Sequence, residues 1–148
     1  MEKIYITGVG ILTSLGNSLE ENRNALVEGK CGIGKLEYLS TKYSESKLFG
    51  EIKLSDNQLK DILEVNDIGV SRTSLLALHA FKQAIADANL TPEDVSSKDT
   101  ALVLATTVGG MCLIDELYHD AIEPTTGSPY LSSYDCGSIA IYLQKKYS

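Results

Sequence analysis

The sequence predicts an α/β fold, a mainly parallel sheet with helices on both faces. Three observations predict it. Runs at residues 2–9 and 101–106 are rich in β-branched and apolar residues and read as strands. Longer runs with apolar residues at helical spacing separate the strands, several opened by a capping residue. The resulting order, β-α-β-α-α-β-α-α, puts helices between strands, and such strands run parallel with right-handed crossovers.

The elements follow in order. Ile4 and Ile6 alternate with Tyr5 and Thr7 in the first strand. Ser18-Leu19-Glu20-Glu21 has the form of a capping box. It opens a helix to about Glu28, with Leu19, Asn22 and Leu26 inward and Gly29 as its C-terminal stop. Leu48 to Leu54 reads as a short strand, and Ser55-Asp56-Asn57-Gln58 as a second capping box for a helix to about Glu64. Ser71 caps the strongest helix, where Leu75, Leu76, Leu78, Phe81, Ile85 and Ala88 recur at helical spacing up to Asn89. Thr91-Pro92-Glu93-Asp94 is another helix start. Ala101 to Thr106 is apolar on both faces, as in a central strand covered on each side. Val108-Gly109-Gly110 is a break. A helix is expected over 111–122, with Leu113, Ile114 and Leu117 inward, then a polar loop from Pro124 to Pro129. The last helix is expected from Tyr134 to Lys146, with Ile139, Ile141 and Leu143 on its apolar side and Lys145 and Lys146 in its last turn, where cations suit the helix dipole.

Composition narrows the function. The chain has 148 residues and a net charge of -7, from 13 basic and 20 acidic side chains. Nucleic-acid binding needs a basic footprint, and the densest basic pair is Lys145–Lys146. An anionic membrane surface is disfavoured by the same charge, and no apolar run approaches the roughly 18–20 residues of a membrane span. Met1-Glu2-Lys3 leads straight into a strand-like pattern, unlike a signal peptide. Cys31, Cys112 and Cys136 are too few and too widely spaced for a disulfide framework or a zinc site, which fits a reducing cytoplasm. His79 and His119 stand 40 positions apart, with only Asp115 and Glu116 as acids near His119, so no metal and no cofactor are expected.

Gly8-Val9-Gly10 after a strand invites a dinucleotide-binding reading, and the spacing rejects it. The fingerprint needs a glycine where Thr13 stands, and a helix that opens at the turn rather than at Ser18. Leu12 and Ser14 occupy the glycine positions of the short-chain-dehydrogenase variant. The simpler reading is that Gly8, Gly10 and Gly16 allow close backbone packing.

Ile4-Tyr-Ile-Thr-Gly-Val-Gly-Ile-Leu-Thr-Ser-Leu-Gly-Asn-Ser18, continuing through Ala25-Leu-Val-Glu-Gly29, resembles the N-terminus of the β-ketoacyl-[acyl-carrier-protein] synthases. Arg72 to Leu90, ending Asp87-Ala-Asn-Leu90, resembles that family's alanine-rich helix. Ala101 to Gly110 resembles its strand with a glycine-glycine turn, and Gly137 to Tyr147 the helix before its nucleophile strand. The resemblance implies the incomplete N-terminal half of a thiolase-like fold, cut before the nucleophile strand, so that residues 1–148 form a truncated synthase domain. It implies a cytoplasmic homo-oligomer that draws acyl and malonyl thioesters from acyl carrier protein. The implied reaction is decarboxylative condensation on a cysteine, assisted by a histidine pair.

None of those catalytic groups is expected here. Cys31, Cys112 and Cys136 do not stand in the family's nucleophile turn, and Cys136, before Gly137-Ser138-Ile139, reads as a small packed residue. His79 sits mid-helix and reads as a half-buried structural residue, and His119 as a solvated one at a helix end. One pocket feature carries over. The residue before the glycine-glycine turn lines the family's acyl tunnel, which assigns Val108, with Gly109, as substrate-binding wall; ordinary core at a strand end is the other reading. Two segments depart from the family. Carrier proteins are acidic, yet Lys60 to Asp67 is mostly acidic too, and Thr125-Thr-Gly127 has no base. A non-catalytic chain-length-factor type of partner subunit is therefore the alternative function.

Overall fold

A computed structural model describes residues 3–39, 41–107, 109–110, 117–118, 122 and 128–147. Among them the regular structure is helical: α1 Leu19–Val27, α2 Asp56–Leu63, α3 Arg72–Asp87, α4 Pro92–Val95 and α5 Ser138–Tyr147, with a 3₁₀ turn at Leu131–Ser133 before α5.

The helix ends follow from their own residues. Ser18 Oγ accepts from the Glu21 amide at 3.2 Å, and the Glu21 carboxylate returns to the Asn17 amide at 2.6 Å. Ser55 and Gln58 close the reciprocal box on α2, at 3.2 and 2.8 Å. Ser71 caps α3 through the Ser74 amide, and Thr91 with Asp94 closes a full box on α4. Each satisfies amides that a helix start leaves open.

Three helices end in the same left-handed motif. The amides of Gly29 and Lys30 reach Leu26 and Ala25, those of Glu64 and Val65 reach Asp61 and Lys60, and those of Asn89 and Leu90 reach Ala86 and Ile85. Gly29 adopts φ 67° without strain, and asparagine tolerates Asn89's 53°. Glu64 at φ 57° does not have that freedom. Glu64→Gly should therefore stabilise the chain by about 0.5–1 kcal/mol, the steric relief being partly offset by extra chain entropy in the unfolded state. Urea titration checks this, and a lowered midpoint would refute it.

The chain divides into two compact units. The first holds Met1–Leu59 and His79–Leu90, the second Lys60–Leu78 and Thr91–Ser148. In the first, the amide of Val9 donates to Asp87 Oδ2 at 2.9 Å, and that of Ile11 to Gln83 Oε1 at 3.3 Å. The amide nitrogen of Gln83 in turn donates to the Asn17 carbonyl at 2.7 Å and to His79 Nδ1 at 2.8 Å. Asn22 is buried, as expected, and donates to the carbonyls of Gly16 and Ser18 at 2.9 and 2.8 Å while accepting from the Thr13 hydroxyl. Leu19 and Leu26 are not inward: both are exposed, and Ala25 takes the buried place.

Glu51 is the first unit's buried carboxylate. It accepts the amides of Glu37, Tyr38 and Leu39 at 2.7, 3.1 and 3.0 Å, and Lys53 Nζ lies 3.4 Å away. Burial alone would raise its pKa. The three amides and the ammonium outweigh burial and hold the carboxyl below its ordinary range.

In the second unit Leu63, Val65, Val70, Leu75, Leu78, Ile139 and Leu143 are buried. Ile139 and Leu143 thus face inward as expected, but Ile141 is exposed. α5 starts at Ser138, later than the expected Tyr134. The 3₁₀ turn occupies the preceding residues, and Asp135 Oδ1 takes the Gly137 amide at 2.6 Å. At its other end Lys146 pairs with Asp67 at 2.5 Å, and the Tyr142 hydroxyl donates to the same carboxylate at 3.1 Å. The Lys146 contact, with Tyr142's, overcomes desolvation and keeps the Asp67 carboxyl low; burial and then Asp67 push the Tyr142 phenol well up.

The expected sheet is absent from the described residues. Their β pairing is two isolated antiparallel bridges, Thr13 with Gly16 and Gly34 with Phe49. The second falls in the expected Leu48–Leu54 strand without extending it. The segments expected as the first and central strands carry no regular secondary structure, with Ile4 97%, Ile6 87% and Val103 88% exposed. The mainly parallel sheet is therefore corrected to helices and irregular chain. A strand exists only through its neighbours, because each backbone group needs a partner across the ladder. Alternation and apolar character mark a segment fit for a sheet; they do not supply the partners. At Val9 and Ile11 side-chain oxygens take the place of ladder carbonyls. The expected 111–122 helix, with its inward residues Leu113 and Ile114, falls mostly outside the described residues, as do residues 124–127 of the loop.

Candidate functional site

The site assigned by sequence is the break around Val108 and Gly109. Val108 lies outside the described residues, whereas Gly109 and Gly110 are placed and buried. Thr106 Oγ1 accepts the Gly109 amide at 3.0 Å, a side-chain turn three residues long. Thr73, in the first turn of α3, donates its hydroxyl to the Gly109 carbonyl at 3.1 Å. The Gly110 amide donates to the Tyr134 carbonyl at 3.1 Å.

Gly109 is favoured by its backbone conformation and Gly110 is required by space. Gly109 adopts φ 56°, and a Cβ there would stand 3.1 Å from both Cα and Sγ of Cys136. A Cβ on Gly110 would stand 2.2 Å from the Ser133 carbonyl oxygen. The facing segment is itself anchored. Ser133 Oγ donates to the Gly69 carbonyl at 2.5 Å, and Ser138 Oγ reaches the carbonyls of Ser133 and Asp135 at 3.1 and 2.7 Å. The turn is thus a buried stretch of backbone held by small hydroxyl residues. Thr73, Thr106 and Cys136 were not assigned by sequence. Thr106, three residues before Gly109, is a legible local signal; Thr73 and Cys136 meet Gly109 only through tertiary structure.

The titratable candidates behave as follows. Cys31 and Cys136 are exposed free thiols, so Cys136 is not the packed residue expected, and Cys112 and His119 lie outside the described residues. His79 is half-buried, as expected. Burial first, and the Lys82 charge second, lower its pKa. Because Gln83 donates to Nδ1, the ring proton sits on Nε2. Its bond to Gln83 joins it to the hydrogen bonds that Gln83 makes with the Ile11 amide and the Asn17 carbonyl. No group of three or more His, Cys, Asp or Glu stands together as a metal would need among the described residues, and no helix there is long and apolar enough to cross a membrane.

Comparison with known proteins decides the family. The model of the β-ketoacyl synthase N-terminal domain matches residues 1–146. The chain belongs to that family. It is 31% identical over 134 residues to the 3-oxoacyl-[acyl-carrier-protein] synthase 1 of Escherichia coli, covering 90% of this chain and 32% of that one. It is 32% identical over 142 residues to the synthase 1 of Buchnera aphidicola, covering 89% and 33%. Against the synthase 2 of Synechocystis it is 26% identical over 133 residues, covering 88% and 32%. The chain therefore spans about a third of the length of these curated relatives. The resemblance read from Ile4 to Gly29 and from Arg72 to Leu90 was to the right family.

Proposed function

We propose that the chain is the N-terminal part of a 3-oxoacyl-[acyl-carrier-protein] synthase, cut before the nucleophile strand. The observation that carries the reading is the family match across residues 1–146, together with relatives named as such synthases. The full-length enzyme would hold the acyl group as a cysteine thioester. Malonyl-carrier protein would lose carbon dioxide, its enolate would attack the thioester carbonyl, and 3-oxoacyl-carrier protein would leave with the cysteine thiol restored. Acyl carrier protein is the partner, in a cytoplasmic homo-oligomer serving fatty acid or related polyketide or polyene synthesis. Val108 and Gly109 form part of the wall against the acyl chain.

The 148-residue chain alone is inactive on this reading, because its three cysteines are outside the family's nucleophile turn. Mixing it with acyl- and malonyl-carrier protein should release no carbon dioxide, while the full-length protein should yield 3-oxoacyl product. Sustained condensation by the short chain would overturn the assignment of catalysis elsewhere. A folded full-length protein that binds acyl-carrier protein without condensing would favour the chain-length-factor type of subunit, a reading that the acidic run Asp61, Glu64 and Asp67 also favours.

A further inference from the structure

We propose that His79 and Gln83 form a proton-sensitive clasp on residues 11–17, closed while the imidazole is neutral and opened when the ring takes up a proton. The clasp is a property of the fold and does not depend on which reaction the protein serves. Gln83 joins the two ends of that segment. Its Oε1 accepts the Ile11 amide at 3.3 Å, and its Nε2 donates to the Asn17 carbonyl at 2.7 Å. Between these ends the chain turns back on itself, with Thr13 and Gly16 bonded to each other at 3.0 and 3.3 Å. The remaining arm of the glutamine amide reaches His79 Nδ1 at 2.8 Å, one turn back on α3, where side chains four residues apart share a face.

The two main-chain partners fix the rest. A backbone amide only donates and a backbone carbonyl only accepts, so the Gln83 amide group has one orientation. Its nitrogen then faces His79 and places its second hydrogen on Nδ1. The ring has to accept there, which requires the neutral form with its proton on Nε2. A protonated ring carries hydrogen on both nitrogens and would set N–H against N–H across the same 2.8 Å. Turning the glutamine amide over satisfies the ring, but it sets nitrogen against the Ile11 amide and oxygen against the Asn17 carbonyl. No orientation of Gln83 serves all three partners once His79 is charged. The charged donor makes the stronger bond, and the Ile11 contact is the longest of the three, so the glutamine turns to the ring.

The surrounding charges leave this titration to His79. Residues 11–17 have no titratable side chain. On α1, the Glu21 carboxylate is engaged by the Asn17 amide at 2.6 Å; on α3, Asp87 takes the Val9 amide, and Lys82 stands three residues from His79. Burial first and the Lys82 charge second favour the neutral ring, so its folded pKa lies below the ordinary histidine value of about 6.5. The clasp is therefore complete above that pH and is lost as pH falls through the lower folded value.

Multiple-bond nitrogen–proton NMR spectra of the protein read the tautomer. At about pH 7.5 His79 should carry its proton on Nε2, and a predominant Nδ1–H form would overturn the closed clasp. Amide exchange then reads the switch, with the Lys30 amide, bonded to the Ala25 carbonyl, as reference. Corrected for the intrinsic rate, protection of the Ile11 amide should fall about fivefold between pH 7.5 and 5, the equilibrium effect of one net hydrogen bond. His79→Asn keeps an acceptor near the position of Nδ1 and takes up no proton, so its Ile11 amide should stay protected at pH 5. Gln83→Met should show the low protection at both pH values. A wild-type protection that ignores pH would overturn the switch, as would an equal fall in His79→Asn. Should asparagine disturb the helix, the wild-type protein alone decides: the midpoint of the Ile11 change should coincide with that of the His79 ring resonances, and separate midpoints would overturn the coupling.

Discussion

Replacing Gly10 with alanine should cost about 3 kcal/mol and lower the melting temperature by roughly 10 °C, the upper part of the range for overpacked sites in a chain of this size. An added Cβ would lie 1.8 Å from the Ala80 carbonyl oxygen and 2.9 Å from the Ala84 amide nitrogen. Both are backbone atoms of α3, so no rotamer change relieves the clash. Either residue 10 backs away from the helix or the helix bends. Backing away strains the Val9 bond to Asp87 and the Ile11 bond to Gln83. Two controls isolate the cause. Gly34→Ala, with nothing within 4 Å of its Cβ, should be near neutral. Adding Ala80→Gly to Gly10→Ala should restore nothing, because the obstructing atom is main-chain. Recovery in that double variant, or a Gly10→Ala melting temperature within about 2 °C of the original, would sink the account.

The same geometry explains the glycine pattern that invites a nucleotide reading. Gly8 meets Ala84 and Ala88, and Gly10 meets Ala80, so the glycines face alanines of α3 and the one just past its end. Small residues on both sides bring the two backbones together, and this leaves the intervening amides of Val9 and Ile11 to Asp87 and Gln83. The close-packing reading of the motif holds for all three glycines, since a Cβ on Gly16 would lie 2.5 Å from that of Glu21.

What was legible in the sequence was local. Ser18, Ser55, Ser71 and Thr91 cap helices because a short side-chain oxygen reaches an amide three residues on, a relation fixed by chain geometry alone. Gly29 and Asn89 end helices for an equally local reason. The sheet was not legible, because Ile4 to Val9 and Ala101 to Thr106 carry the composition of strands while their pairing depends on segments elsewhere. The inward face of α1 was misread for a related cause. Leu19 and Leu26 are its large apolar residues, yet Asn22 is buried because Thr13, Gly16 and Ser18 offer it partners. Of the site, the glycine-glycine turn was legible, and the hydroxyl that clamps it, 36 residues away, was not.

Glu51→Gln should destabilise the chain by about 2 kcal/mol at pH 7, the worth of a charge-assisted hydrogen-bond set on a buried carboxylate. The glutamine keeps the shape and one acceptor oxygen. It loses the second acceptor and the charge, which together serve Glu37, Tyr38, Leu39 and Lys53. The pH dependence separates charge from packing. The Glu51 carboxyl is depressed in the folded chain, so its contribution is complete above the unfolded glutamate value of about 4.3 and is lost as pH falls through the lower folded value. The difference between the two proteins should therefore be constant from pH 7 to about 5 and shrink at more acid pH. Asp67 and Asp94 are also held low and titrate in the same range, but they do so in both proteins and cancel. Urea unfolding of the pair at stepped pH makes the measurement. A gap that stays constant into strong acid would mean that the glutamine disturbs packing alone, and that the three amides hold residues 37–39 without needing the negative charge.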